Sequence, residues 1–500
     1  MFKSYRPTIK FLNEELLEEV VSEAFDILEN IGIFVENAEL FSLFKKGSDT
    51  FNSSHYQGVR TDHANNRVFI PQKMVEEALE TVPSMVKVYD REGKLTITLE
   101  GENVYFNPGS TATKILDPIT NLIRPAETKD YVTFTMVVDA LKHIKFQSTA
   151  IICSDVPEPI SDRYRLYLSL LFSSKPIVTG TFRAESFEIM KKMLLSVRNG
   201  DAEELRKKPL AIFDVCPSSP LKWSNLGSQT LIDCAKAGIP IELVSMPISG
   251  AVAPVTLLGS LVQHTAENLS GIVISQLLKP GSPVIYGGSP SIMEMWHGTT
   301  PMAAIESIMM NMACSQVGKY VGLPTHGYLG LSDAKTLDEQ CFLEAGISII
   351  SAALAGINVV SGPGMLNFES CQSVEKLVID HEACGMAYRL IDGFTKREKI
   401  MVREVLKDFE ETGELLSHKS TRKWFKKEFY FPSVVVDRSN LGAWIKGGRK
   451  TARQRAMELI KQILAEREEI SLDGEIVQNL KDMMEKDASS HGLNKLPKIQ

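Results

Sequence analysis

The side chains of this chain that could do chemistry are few, and many are aromatic. Phe106, Phe182, Phe213, Tyr286, Trp296, Tyr328 and Phe368 recur along the sequence. Aromatic faces gathered around a cavity attract a quaternary ammonium ion through the ring quadrupole. Taken singly, such rings fill the interior layers of a fold. The run Ser332-Asp333-Ala334-Lys335-Thr336-Leu337-Asp338-Glu339-Gln340 is the densest polar segment of interest. Its acids either build a site or sit in the first turn of a helix, where the helix dipole favours them. Lys335 is the candidate for Schiff-base chemistry of the aldolase kind, which needs a depressed lysine pKa. Asp333 and Asp338 beside it act in the opposite sense. His381-Glu382-Ala383-Cys384, with Cys371 upstream, carries zinc-type donors. On one expected helix over 371–390, His381 and Cys384 share a face but Cys371 lies more than two turns away. Three ligands do not converge, and no metal is expected. The chain has no GxSxG, HExxH or Walker loop, and Gly287-Gly288 and Gly362-Pro363-Gly364 lack the spacing of phosphate loops.

These residues are positioned by a repeating unit of short β-type run and helical stretch. The runs cover 104–107, 146–153, 176–181, 210–215, 240–245, 283–286, 324–328 and 357–361. Strands alternating with helices build a parallel sheet, and this many units predict an α/β fold with a closed (β/α)8 barrel. Barrel chemistry sits at the C-terminal strand ends. Those ends carry Phe106-Asn107-Pro108-Gly109-Ser110, Thr181-Phe182-Arg183, Thr325-His326-Gly327-Tyr328 and, past the eighth run, Asn367-Phe368-Glu369.

The barrel is assigned to 102–394. Residues 1–101 read as an α+β cap that plugs or flanks one barrel end. Its parts are a helix over 13–31, a second from Pro71 to about Thr81 with Pro71 in the first turn, and a hairpin over 86–90 and 95–99. Residues 395–500 read as a charged helical extension, with helices over 396–412, 450–468 and 475–486. Thr128-Lys129-Asp130 and Ser219-Pro220 each precede a barrel helix. Thr300 is expected to cap a helix with Pro301 at its first position, and Ser332 or Asp333 to open the helix carrying Asp338, Gln340 and Glu344.

Composition sets the outer limits. Of 500 residues 44% are hydrophobic and 23% charged, the balance of a soluble globular protein. A net charge of −7 argues against bulk nucleic-acid binding. No segment reads as a signal peptide or a membrane span; the long uncharged stretch over 345–368 is cut by Gly356, Gly362, Pro363 and Gly364. Seven cysteines without a framework suit reduced thiols in a cytoplasm. A symmetric homo-oligomer is expected on general grounds.

Several segments together resemble the trimethylamine methyltransferase family: Asn107-Pro108-Gly109-Ser110, Tyr286-Gly287-Gly288-Ser289-Pro290, Pro324-Thr325-His326-Gly327-Tyr328, Ser332-Asp333-Ala334-Lys335 and Asp338-Glu339-Gln340. The resemblance runs over nearly the whole chain. It implies a barrel enzyme that passes a methyl group from an amine to the cobalt of a cognate corrinoid protein, with cobalamin supplied by that partner and no cofactor held tightly by the chain. The founding members carry pyrrolysine; this chain has only standard residues. It therefore resembles the non-pyrrolysine branch, which demethylates quaternary amines such as glycine betaine, proline betaine, carnitine or butyrobetaine. The position replacing pyrrolysine is expected within 326–340. On this reading Phe106, Tyr328 and Phe368, with Tyr286 and Trp296, face the ammonium methyls. His326, Asn107 and Arg183 hold a substrate carboxylate, and Asp333 and Asp338 balance the cation or fix the loop. The competing readings are the Lys335 aldolase and a non-catalytic betaine-binding protein.

Overall fold

In the computed structural model, which describes residues 4–50, 58–398, 402–467 and 472–498 (4 and 45–50 as backbone), eight parallel strands form one sheet. They are β1 Tyr105–Asn107, β2 Gln147–Ser148, β3 Ile177–Gly180, β4 Ala211–Val215, β5 Ile241–Leu243, β6 Val284–Gly288, β7 Thr325–Tyr328 and β8 Val359–Ser361. Each falls on one of the expected runs. Neighbours in sequence pair from β2 to β8, and β8 pairs with β1. A parallel bridge from Phe106 to Ile144, with the Lys145 N–H donating to the Phe106 carbonyl at 2.8 Å, joins β1 to the chain entering β2 and closes the barrel. The sequence reads as apolar runs because strands in such a sheet are covered on both faces.

Helices α1 Thr128–Ala140, α2 Ser161–Phe172, α3 Ser186–Val197, α4 Asn225–Ala237, α5 Leu257–Leu278, α6 Ile305–Tyr320, α7 Glu339–Ala355 and α8 Val374–Ile391 follow the strands in turn. Local chemistry sets their ends. Glu127 and Asp130 form a capping box on α1, and Ser224, not Ser219-Pro220, caps α4. Two expected helix starts are corrected. α6 begins at Ile305, not after Thr300, because the Met302 and Ala303 N–H groups donate to the Asp333 carboxylate (3.1 and 2.9 Å) and that turn needs no helix. α7 begins after Asp338, whose carboxylate accepts from the Cys341 N–H, while Ser332 and Asp333 are held further upstream by Glu344. α8 is capped by Ser373, so Cys371 lies outside it, in a short strand against Leu366 and Lys114.

The N-terminal segment both plugs and flanks the barrel. Helices Glu14–Asp26 (continued as a π turn to Ile31) and Gln72–Thr81 pack against α5, with Pro71 as the N-cap just outside the first turn. The hairpin Val86–Tyr89 and Leu95–Leu99 drives Val86, Val88, Ile97 and Leu99 against Phe146, Val178, Ile212, Ile285 and Val359. These are the inward side chains nearest the N-terminal ends of the strands, so the barrel floor is sealed by hydrocarbon. At the other end of the chain, Ala452–Glu466 packs on α8 and α1, and Gly474–Ser490 on α2 and α3. There Asp487 pairs with the buried Arg163 guanidinium. The expected helix over 396–412 is present as Arg403–Thr412; residues 399–401 and Glu468 lie outside the described residues. Among the described residues no helix is long and apolar enough to cross a membrane.

Candidate active site

Side chains alternate along a strand, so the inward set above the floor follows from the register. Two residues on from the apolar floor, the strands present Asn107, Ser148, Gly180, Asp214, Glu242, Gly287, His326 and Ser361. Every strand thus turns from hydrocarbon to a polar group or a glycine at one level. Asp214 and Glu242 are direct partners across β4 and β5. His326 Nε2 lies 3.0 Å from Glu242 Oε1, without the alignment of a hydrogen bond, and 3.2 Å from Ser361 Oγ. Asn107 Nδ2 donates to Ser361 Oγ at 2.8 Å. Glu242 and His326 meet because Gly287 stands between their strands. A Cβ there would come within 2.5 Å of the His326 carbonyl oxygen.

Burial decides the charge of this set. The His326 imidazole is pushed down to about 3 by desolvation and is neutral. Glu242 is held well above the carboxylate range by burial and by Asp214 beside it, and Asp214 is pushed up to about 7, chiefly by burial. The His326–Glu242 contact is therefore between neutral groups. Asp214 Oδ1, both Glu242 oxygens and His326 Nδ1 have no hydrogen-bond partner.

Above this level, at the C-terminal strand ends, lies a cavity of about 260 Å³ lined by Ser110, Arg165, Phe182, Asp214, Tyr328 and Glu369 among others. Arg165 reaches it from α2. Its guanidinium stacks 4.5 Å above the Phe182 ring centre and donates through Nε to the Ser161 carbonyl and through Nη1 to the Thr149 carbonyl. The Ser110 hydroxyl links the walls, 3.4 Å from both Asp214 Oδ2 and the Tyr328 hydroxyl. Asn367, Phe368 and Glu369 hold φ of 50°, 53° and 64°, left-handed values that side chains rarely adopt. That turn brings Glu369 to the cavity, where burial raises its carboxyl to about 8. The lining thus combines a guanidinium, two aromatic rings and two carboxyls, with Asp214 on the strand next to the one that leads to Phe182.

Of the residues singled out in the sequence, Phe182 and Tyr328 line the cavity, and His326 and Asn107 lie in the polar level beneath it. The rest are placed elsewhere. Phe106 points outward, edge-on to Tyr388 of α8, and Tyr286 points outward to Thr265 and His264 of α5. Phe213 likewise packs on Phe187 outside the barrel. Trp296 is 92% exposed on a loop. Arg183 is exposed and pairs with Glu185. Phe368 stacks under Lys335, whose ammonium donates to the Asp333 carbonyl; no lysine lines the cavity. Asp333 and Asp338 accept backbone N–H groups and so fix the loop and the start of α7. Among the described residues no three or more His, Cys, Asp or Glu are placed to hold a metal ion.

Arg165 and Glu242 were not singled out, and Asp214 and Glu369 stand only among the strand-end residues, without a role. For Asp214 and Glu242 a signal existed, since each is an acid inside an otherwise apolar strand run, where an ionisable group is rare. Arg165 sits in a helix that also carries Arg163, and nothing in the sequence separates it from a surface residue.

The model of the trimethylamine methyltransferase (MTTB) family matches residues 2–492. The chain belongs to this family. Among its relatives, trimethylamine methyltransferase MttB of Desulfitobacterium hafniense is 30% identical over 483 residues, 97% of this chain and 95% of that protein. Glycine betaine methyltransferase of the same species is 29% identical over 475 residues, 94% of this chain and 95% of that protein. The MttB of Methanosarcina thermophila is 30% identical and covers 95% of each chain. The crystal structure of the Methanosarcina barkeri monomethylamine methyltransferase MtmB covers 96% of this chain and 94% of its own at 12% identity, with a TM-score of 0.48. Unlike the family's founding members, this MTTB chain is built from standard residues throughout.

Proposed function

We propose that this protein moves a methyl group from a zwitterionic quaternary amine to the Co(I) centre of a cognate corrinoid protein, by direct displacement and without pyrrolysine. Glycine betaine, proline betaine, carnitine and butyrobetaine are the candidate substrates. The observation that carries the reading is the make-up of the cavity lining, which brings Arg165, Phe182 and Tyr328 together with Asp214 and Glu369. A ligand bearing a carboxylate and an ammonium fits that lining. The planar Arg165 fork suits the carboxylate, and the Tyr328 ring suits the ammonium methyls. The relatives include proteins named for trimethylamine and for glycine betaine, which supports methylated amines as the substrate class.

The chemistry asks little of the side chains. A quaternary nitrogen is already cationic and leaves as a neutral tertiary amine, so the protein supplies orientation and exclusion of water. Arg165, stacked on Phe182, fixes one end of the substrate, Tyr328 and the carboxyls hold the other, and one methyl is left facing the open end of the barrel. Cobalamin enters with the partner as the methyl acceptor.

The test is a methyl-transfer assay with a Co(I) corrinoid protein and a panel of glycine betaine, proline betaine, carnitine, butyrobetaine, choline and trimethylamine. It is read as the absorbance change on formation of methyl-Co(III). Turnover on a zwitterionic quaternary amine and none on trimethylamine is expected. No turnover on any amine, with an acceptor shown to be active, overturns the reading.

A further inference from the structure

Resting on that reading, we propose that the Asp214 carboxyl is the proton donor to the tertiary amine as it leaves. Asp214 is the one acid that belongs both to the polar level of the barrel and to the cavity wall. Its Oδ1 lacks an aligned hydrogen bond, Oδ2 lies 3.4 Å from the Ser110 hydroxyl, and the Glu242 carboxyl stands beside it. Below it the hairpin packs hydrocarbon against the floor, and the cavity lies above it.

The charged and titratable groups around Asp214 come from four directions. Arg165 approaches from α2 and Glu242 from β5. Tyr328 lies at the end of β7, and Glu369 on the turn after β8. Cys216 lies two residues along β4's own exit. Glu242, Ser110 and Arg165 all favour the Asp214 carboxylate, while burial favours the carboxyl. Burial wins, and Asp214 holds its proton up to about pH 7.

The step balances as follows. The N–CH3 bond breaks and its electron pair stays on nitrogen. The methyl bonds to cobalt, for which Co(I) supplies the pair and is formally oxidised to Co(III). The nitrogen pair then takes the Asp214 proton, giving a tertiary ammonium beside an Asp214 carboxylate. The amine that leaves neutral thereby regains its positive charge. A protonated amine has no lone pair with which to take the methyl back. Solvent returns a proton to Asp214 as the product departs.

The experiment uses the full chain in excess over its Co(I) corrinoid partner, with glycine betaine as substrate and the amplitude of methyl-Co(III) formed on the enzyme as readout. Wild-type amplitude is expected to fall as pH rises through about 7. Asp214→Asn is expected to lose that dependence and to shift the on-enzyme equilibrium about tenfold or more towards Co(I) at pH 6.5, with glycine betaine binding changed less than about twofold. Asp214→Glu restores part of the amplitude and the pH limb, which separates proton donation from misfolding. Retention of the wild-type amplitude and pH limb in Asp214→Asn overturns the proposal. So does a loss confined to glycine betaine binding, which makes Asp214 a counter-ion only. Absence of wild-type turnover on every amine of the panel overturns methyl transfer itself, a separate result.

Discussion

Arg165 and Glu369 both line the cavity and make opposite demands on it. The guanidinium already spends Nε and Nη1 on backbone carbonyls, which fixes its plane over Phe182 and aims the remaining edge at the cavity. Replacing Arg165 by Gln removes the charge with little loss of length. KM for a carboxylate-bearing quaternary amine is expected to rise about 10- to 100-fold, the worth of a charge-assisted hydrogen bond. Choline, if it is turned over at all, should be unaffected; an equal effect on both would show that Arg165 does not read the carboxylate. Glu369 is a carboxyl of ordinary value 4.5 held up to about 8 in the fold. A group raised in the folded state lends stability that is complete below its unfolded value and lost as pH climbs through its folded one. Glu369→Gln stays neutral throughout. Its stability relative to wild type is therefore expected to grow by about 1 to 3 kcal/mol between pH 5.5 and 8.5, measured by urea unfolding at each pH. A difference that does not change with pH would mean the carboxyl is not held protonated.

At the scale of elements, the glycines of the polar level do as much as the acids. Gly287 lets Glu242 and His326 approach across β6, and an added methyl would press on His326 at its carbonyl oxygen and Cβ. Gly287→Ala is expected to destabilise the fold by about 1 to 3 kcal/mol and to move the His326 ring, checked by thermal unfolding and by the His326 imidazole resonances. The strands themselves were legible because parallel strands covered on both faces leave unbroken apolar runs, several opened by proline at 176, 240, 283 and 324. The starts of α6 and α7 were not legible. The acceptors that satisfy those turns, Asp333 and Glu344, lie 31 residues beyond Met302 and 11 beyond Asp333. The aromatic set failed for a related reason. Phe106, Phe213 and Tyr286 lie on strands, but at the parity that faces the helices. A one-residue difference in register separates a cavity wall from a packing contact.

Across the whole molecule, the N-terminal segment and the barrel act as one object. The sequence separates the hairpin from the strands it seals by as many as 270 residues of chain or so, yet Val88 and Ile97 pack directly among Ile212, Ile285 and Val359. The C-terminal helices hold the opposite flank, with Asp487 neutralising Arg163 beneath α3. The sealed floor has a kinetic meaning. A barrel with one doorway cannot admit its two reactants independently when the second must stand over the first. On the proposed reaction the amine enters first, the acceptor protein then closes the doorway, and the demethylated amine waits behind it. Turnover is then compulsorily ordered, the departure of the macromolecule precedes that of the small product, and a large excess of methylated acceptor traps the amine inside.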